Sequence, residues 1–99
     1  MVITVLEAHV PQEAWRTLET AYNAAIQSLD PGIVETYLLH SANNETLWQI
    51  LTVWESREAL DAMRNSGEIP RGVLIFRAAG AQPELKVFLV PVHAARAPV

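Results

Sequence analysis

The stretch Leu47 to Met63, LWQILTVWESREALDAM, limits the fold more than any other part of the chain. Its first half alternates, with Trp48, Ile50, Thr52 and Trp54 on one side of an extended backbone and Leu47, Gln49, Leu51 and Val53 on the other. Its β-branched and aromatic content suits a strand. Both sides are mainly apolar, so both faces of the sheet it joins need cover. The strand stops at Glu55-Ser56. Ser56 suits a helix N-cap, because its hydroxyl can accept a bond from a free amide of the first turn. Glu58 adds negative charge near the positive end of the helix dipole. Leu60, Met63 and Arg64 follow on one helical stripe, with Asp61 turned away. A two-sided strand running into a helix through almost no loop is the hub of a small α+β domain.

The flanking elements follow from the same periodicities. Val2 to Val10 alternates as a strand, with Val2, Thr4, Leu6 and Ala8 opposite Ile3, Val5, Glu7 and His9. Pro11 ends it and suits the first position of a helix. Trp15, Leu18, Tyr22, Ile26 and Leu29 recur at spacings of three and four, which predicts an amphipathic helix ended by Asp30-Pro31-Gly32. Ile33 to His40 is a second strand, and Ser41 to Glu45 a polar turn of hairpin length. Asn65-Ser66-Gly67 closes the helix after the hub, with Gly67 as a left-handed cap. Ile69 to Ala81 fits either a strand over Val73 to Phe76 or a helix started by Pro70. Leu85 to Val92 is a last strand, with Pro91 tolerable at its edge or end. Residues 1–92 are expected to form a single domain, and 93–99, Ala/Pro-rich, a C-terminal tail.

The order β-α-β-β-α-(short helix or turn)-β is the split βαβ, or ferredoxin-like, topology, a four-stranded antiparallel sheet with two helices on one face. The other face is too apolar for a monomer to expose. The hydrophobic fraction of 51% against 18% charged points the same way. The simplest cover is the same face of a second copy about a two-fold axis, so a homodimer with its sheets face to face is expected. A net charge of −4 without a basic cluster argues against a nucleic-acid surface. The chain has no cysteine, which removes disulfides, a thiolate nucleophile and zinc–thiolate sites. No basic leader and no membrane-spanning run is present, so the expected compartment is the cytoplasm.

The run Leu51-Thr52-Val53-Trp54-Glu55-Ser56-Arg57-Glu58-Ala59-Leu60, with Pro31-Gly32 before the second strand, resembles the antibiotic biosynthesis monooxygenase (ABM) domain family. The resemblance covers roughly residues 2 to 92. It implies a dimeric α+β barrel and favours a short helix for about Pro70 to Ala79. It also implies one of two activities, cofactor-free oxygenation of polycyclic phenols or quinols, or haem binding and degradation. Haem-degrading members use an Asn on the first strand, a Trp in the second helix and a later His. Here the first strand has no Asn, Met63 stands near the helix position, and no His lies between His40 and His93. The cofactor-free enzymes use an Asn four residues before the strand-end Trp and a Tyr six after it. Those positions hold Ile50 and Leu60, and only Trp54 matches.

Trp54 shares a face with Trp48, Ile50 and Thr52, where it either stacks on a flat ligand at the mouth of a sheet–helix pocket or fills the core. The first and third strands are expected to be parallel neighbours, which brings His9 to Trp54's end of the sheet and sends His40 to the opposite end. His9 is then either a base toward a phenol, oriented by Glu7, or a solvated strand-end histidine. A His9–His40 metal pair is not expected. Arg71 either pairs with an anionic ligand or is an ordinary surface arginine. Tyr22 either points its hydroxyl into the pocket or packs against backbone. The candidate site is therefore His9 and Trp54 as catalytic groups, with Glu7, Tyr22, Trp48, Ile50, Leu60 and Arg71 around the substrate. The expected function is a cofactor-independent monooxygenase on an aromatic phenol or quinol, needing no metal. The alternative is a small-ligand-binding or structural dimer of the same fold, with haem binding behind both.

Overall fold

A computed structural model describes residues 1–97. The elements are β1 (Val2–His9), α1 (Trp15–Ala25), β2 (Ile33–His40), β3 (Leu47–Trp54), α2 (Arg57–Arg64), α3 (Arg71–Ala78) and β4 (Glu84–Leu89). The strands form one antiparallel sheet in the order β2-β3-β1-β4, the ferredoxin-like arrangement. Pro11 introduces a short 3-10 turn, Gln12–Ala14, and α1 follows it, ending earlier than the apolar spacing suggested. Leu29, expected on that helix's inner stripe, lies beyond its end and is exposed.

The hub behaves as its residues dictate. The Ser56 hydroxyl accepts the Ala59 amide at 3.1 Å and caps α2. Gly67 carries the positive φ of 81° expected just past that helix. The ambiguous segment resolves as helix α3, with Pro70 at its N-cap and Ile75 and Phe76 buried. Three helices rather than two therefore stand on the sheet's inner face. The tail after β4 has no helix or strand through residue 97, and its last two residues, 98 and 99, lie outside the described residues.

One expectation is corrected. β1 and β3 are neighbours, but they run antiparallel, with Val2 opposite Trp54 and His9 opposite Leu47. The connectivity requires it. β1 and β2 are joined by a helical crossover and run parallel, so β3, hairpinned to β2, must run against both. His9 and Trp54 thus lie at opposite ends of the sheet, and His40, opposite Trp48, lies at the same end as His9.

The helix-facing side of the sheet carries two separate buried clusters. The larger holds Ala8, Val10, Leu18, Tyr22, Trp48, Ile50, Ile75, Phe76 and Ala79. The smaller holds Val2, Trp54 and Leu60, with Ile33, Ala59 and Met63 against them. On the other side of the sheet Val5 and Val53 are screened by their neighbours, while Tyr37, Leu39 and Phe88 are 46%, 37% and 50% exposed. No helix among the described residues is long and apolar enough to cross a membrane.

Candidate functional site

The gap between the two clusters is a cavity of about 520 Å³. Its floor is the helix-facing side of the sheet, and its walls come from α1, α2, the 67–70 loop and α3. A volume between roughly 300 and 1,000 Å³ with mainly apolar walls is typical of small-molecule sites. A groove of about 440 Å³ adjoins it, sharing Asp30, Met63, Ile69 and Arg71.

What separates the clusters is a row of threonines. Thr36, Thr52 and Thr4 are directly opposite one another on β2, β3 and β1, and all three line the cavity. Thr4 and Thr52 are 8% and 9% exposed, the buried polar side chains of the sheet. The Thr36 and Thr52 hydroxyls are 3.3 Å apart. Tyr22 of α1 donates its hydroxyl to Thr36 at 3.3 Å, and the Trp54 indole Nε1 donates to Thr4 at 3.1 Å. Burying a hydroxyl without a bond costs about 1–3 kcal/mol, so these pairings are what the fold needs to keep polar groups at this depth.

Five of the expected site residues line the cavity: Trp54, Tyr22, Ile50, Leu60 and Arg71. Trp54 is 3% exposed and joins the smaller cluster by one edge and the floor by its N–H. Arg71 is at the rim, and its guanidinium is already engaged. It donates to the carbonyls of Ser28 and, at 3.3 Å, Ala25, and pairs with Asp30 at 3.3 Å, stapling the start of α3 to the end of α1.

Three expected residues lie elsewhere. His9 is exposed on the side of the sheet facing away from the helices, with Nδ1 2.8 Å from the Thr46 hydroxyl. Glu7 is on that same side, accepting from Gln49 at 3.3 Å and from Lys86 at 2.9 Å. The Lys86 ammonium is the main reason its carboxyl is held below the usual value. Trp48 is helix-facing but belongs to the far end of the larger cluster, stacked on His40 with ring centroids 4.1 Å apart and edged by Trp15. Its Nε1 has no partner among the described residues. No grouping of acidic, histidine or cysteine side chains among the described residues could hold a metal ion.

The sequence reading missed the threonine row. The signal was present, since alternation put Thr4, Thr36 and Thr52 on helix-facing positions of otherwise apolar strands. Only the strand register shows that they are neighbours.

An antiparallel ferredoxin-like sheet with a helix-roofed apolar cavity places the chain in the class of small α+β domains of ferredoxin-like fold. Within that class, the chain belongs to the antibiotic biosynthesis monooxygenase family, whose model matches residues 1–73. No curated protein sequence matches it. Among solved structures it is similar to the haem degrader MhuD of Mycobacterium tuberculosis, seen with two haems in its active site. That protein is 26% identical, with a TM-score of 0.67 over 96% of this chain and 100% of that one. SnoaB, a cofactor-independent oxygenase of Streptomyces nogalater, is 16% identical, with a TM-score of 0.70 over 96% and 97%. A Deinococcus radiodurans protein ascribed to the same family superposes with a TM-score of 0.74 at 10% identity, over 99% and 100%.

Proposed function

We propose that the chain is a cofactor-independent monooxygenase that takes a phenol or quinol into the cavity between the two core clusters. The observation that carries this reading is the cavity itself, about 520 Å³, apolar-walled, with the Trp54 ring against it, in a chain of the monooxygenase family. Aliphatic and aromatic walls favour a flat hydrophobic substrate through the area it removes from water. The reaction that needs least from the protein is the conversion of a phenol and dioxygen to a quinone and water. The substrate anion gives one electron to dioxygen, the two radicals combine at carbon, and loss of water from the hydroperoxide leaves the second carbonyl.

No histidine lines the cavity among the described residues, its Asp30 is paired with Arg71, and its Glu68 is exposed to solvent on the 67–70 loop. The substrate therefore enters as its anion or loses its proton to solvent at the mouth, and the walls position it rather than deprotonate it. His9, on the far side of the sheet, has no part in this step. A second copy of the chain covering the outer face, where Tyr37, Leu39 and Phe88 stand exposed, completes the proposed molecule.

Oxygen uptake with a panel of naphthols and hydroquinones tests the proposal. Trp54→Phe lowers uptake about three- to tenfold, the worth of an aromatic contact, and His9→Ala leaves it unchanged. The pH midpoint of the rate follows each substrate's own phenol pKa across the panel. Absence of uptake across the panel rejects the oxygenase. Binding without uptake supports a carrier of the same ligands, the reading favoured by Ile50 and Leu60 standing as apolar residues in the cavity wall. Haem degradation is not proposed, since the first strand has no Asn, Met63 stands near the second-helix Trp position, and no histidine among the described residues lines the cavity.

A further inference from the structure

The threonine row does more than interrupt the core. Thr36, Thr52 and Thr4 are consecutive across three strands, and each hydroxyl carries one proton to donate and two lone pairs to accept. Tyr22, Thr36 and Thr52 together hold three hydroxyl protons and share two hydrogen bonds. Whichever way the Thr36–Thr52 bond runs, one proton of the three is left over. Thr4 accepts from the Trp54 indole, which can only donate, so the Thr4 proton is also uncommitted among the described residues. The network thus keeps two uncommitted hydroxyl protons, and free lone pairs beside them. These hydroxyls stand on the cavity floor between Tyr22 at one end and the donor-only Trp54 indole at the other.

From these uncommitted buried hydroxyls we infer that the Thr36–Thr52–Thr4 row is the polar recognition element of the cavity, selecting aromatic ligands that carry an oxygen, a quinone carbonyl or a phenolate, over the bare hydrocarbon. The inference rests on the proposed aromatic-ligand reading of the cavity and adds the residues that choose among such ligands. A floor built for packing alone would carry valine, which has threonine's outline without its hydroxyl. Hydroxyl protons left uncommitted at this depth match an oxygen with lone pairs. They also favour the ionised over the neutral phenol, because hydrogen bonds to a charged acceptor are stronger. The row then serves both ends of a phenol-to-quinone conversion, since substrate anion and product carbonyl present the same kind of atom.

Equilibrium dialysis with two probes of one outline, 1,4-naphthoquinone and naphthalene, tests this, and a chain without cysteine does not trap the quinone as a thiol adduct. Wild type is expected to hold the quinone about tenfold more tightly than the hydrocarbon. The double variant Thr4→Val with Thr52→Val loses that preference by weakening the quinone alone, and it melts below wild type because the Trp54 indole N–H loses its acceptor. Thr4→Ser with Thr52→Ser keeps it. Equal binding of both probes by wild type, or a preference that survives the valine variant, overturns the inference while leaving the cavity as an aromatic site. Failure of wild type to bind either probe overturns that reading and the inference with it. Should the valine variant not fold, the wild-type comparison alone decides.

Discussion

Gly32 is where one residue fixes how the hub's helix meets the sheet. Its φ of 90° is open to glycine and strained for other residues, and a Cβ there would lie 2.5 Å from the Ala59 Cβ on α2. Its carbonyl also accepts the Glu55 amide at 2.8 Å, at the end of β3. Gly32→Ala is expected to cost about 1–3 kcal/mol, read as a lowered urea midpoint with an unchanged slope. Ser56→Ala, which removes the α2 cap, is expected to cost about 1 kcal/mol by the same measurement. Both residues were legible in the sequence, because a Pro-Gly entry and a serine before a helical stripe are local chemistry. The threonine row was not. Thr4, Thr36 and Thr52 are more than a dozen residues apart, and a face assignment says which side each lies on without saying which strand it lies beside.

At the scale of elements, periodicity identified every strand, and its failure was one of direction. His9 was paired with Trp54 by taking β1 and β3 as parallel, whereas the crossover-then-hairpin order forces them antiparallel. That reversal puts His9 at the opposite end of the sheet from Trp54, alternation puts His9 and Glu7 on its outer face, and no histidine among the described residues lines the cavity. The apolar run 71–78 could be strand or helix by spacing alone, and packing of Ile75 and Phe76 onto the core decided it. Glu7 instead joins β1 to β4 through Lys86. The pair lowers the Glu7 pKa and raises that of Lys86. The Glu7 contribution to stability is therefore present above the ordinary carboxylate pKa and is lost as pH falls through its depressed folded value. The Lys86 contribution is present below the ordinary ammonium pKa and is lost as pH rises through its elevated folded value. Comparing melting temperatures of wild type and Glu7→Gln should give a difference at neutral pH that closes at both extremes. A difference that grows in acid would contradict the pairing.

The whole molecule presents one sheet face to its helices and the other to whatever surrounds it. β4 is exposed along its length, and Phe88, Tyr37 and Leu39 extend an apolar surface across the outer face. A second copy laid on that face buries it, and light scattering should return twice the chain's 11.0 kDa at micromolar concentration. A clean single-chain mass would contradict the dimer without touching the cavity. The cavity itself is the central claim, and chemical-shift mapping of 1-naphthol on the isotope-labelled protein tests it most directly. Of the three indole signals, that of Trp54 should move, together with the backbone amides of Thr36, Thr52 and Ala25, while those of Trp15 and Trp48 stay. Shifts gathered instead on the outer face, at Ile3, Tyr37 and Phe88, or no shifts at all, would contradict it.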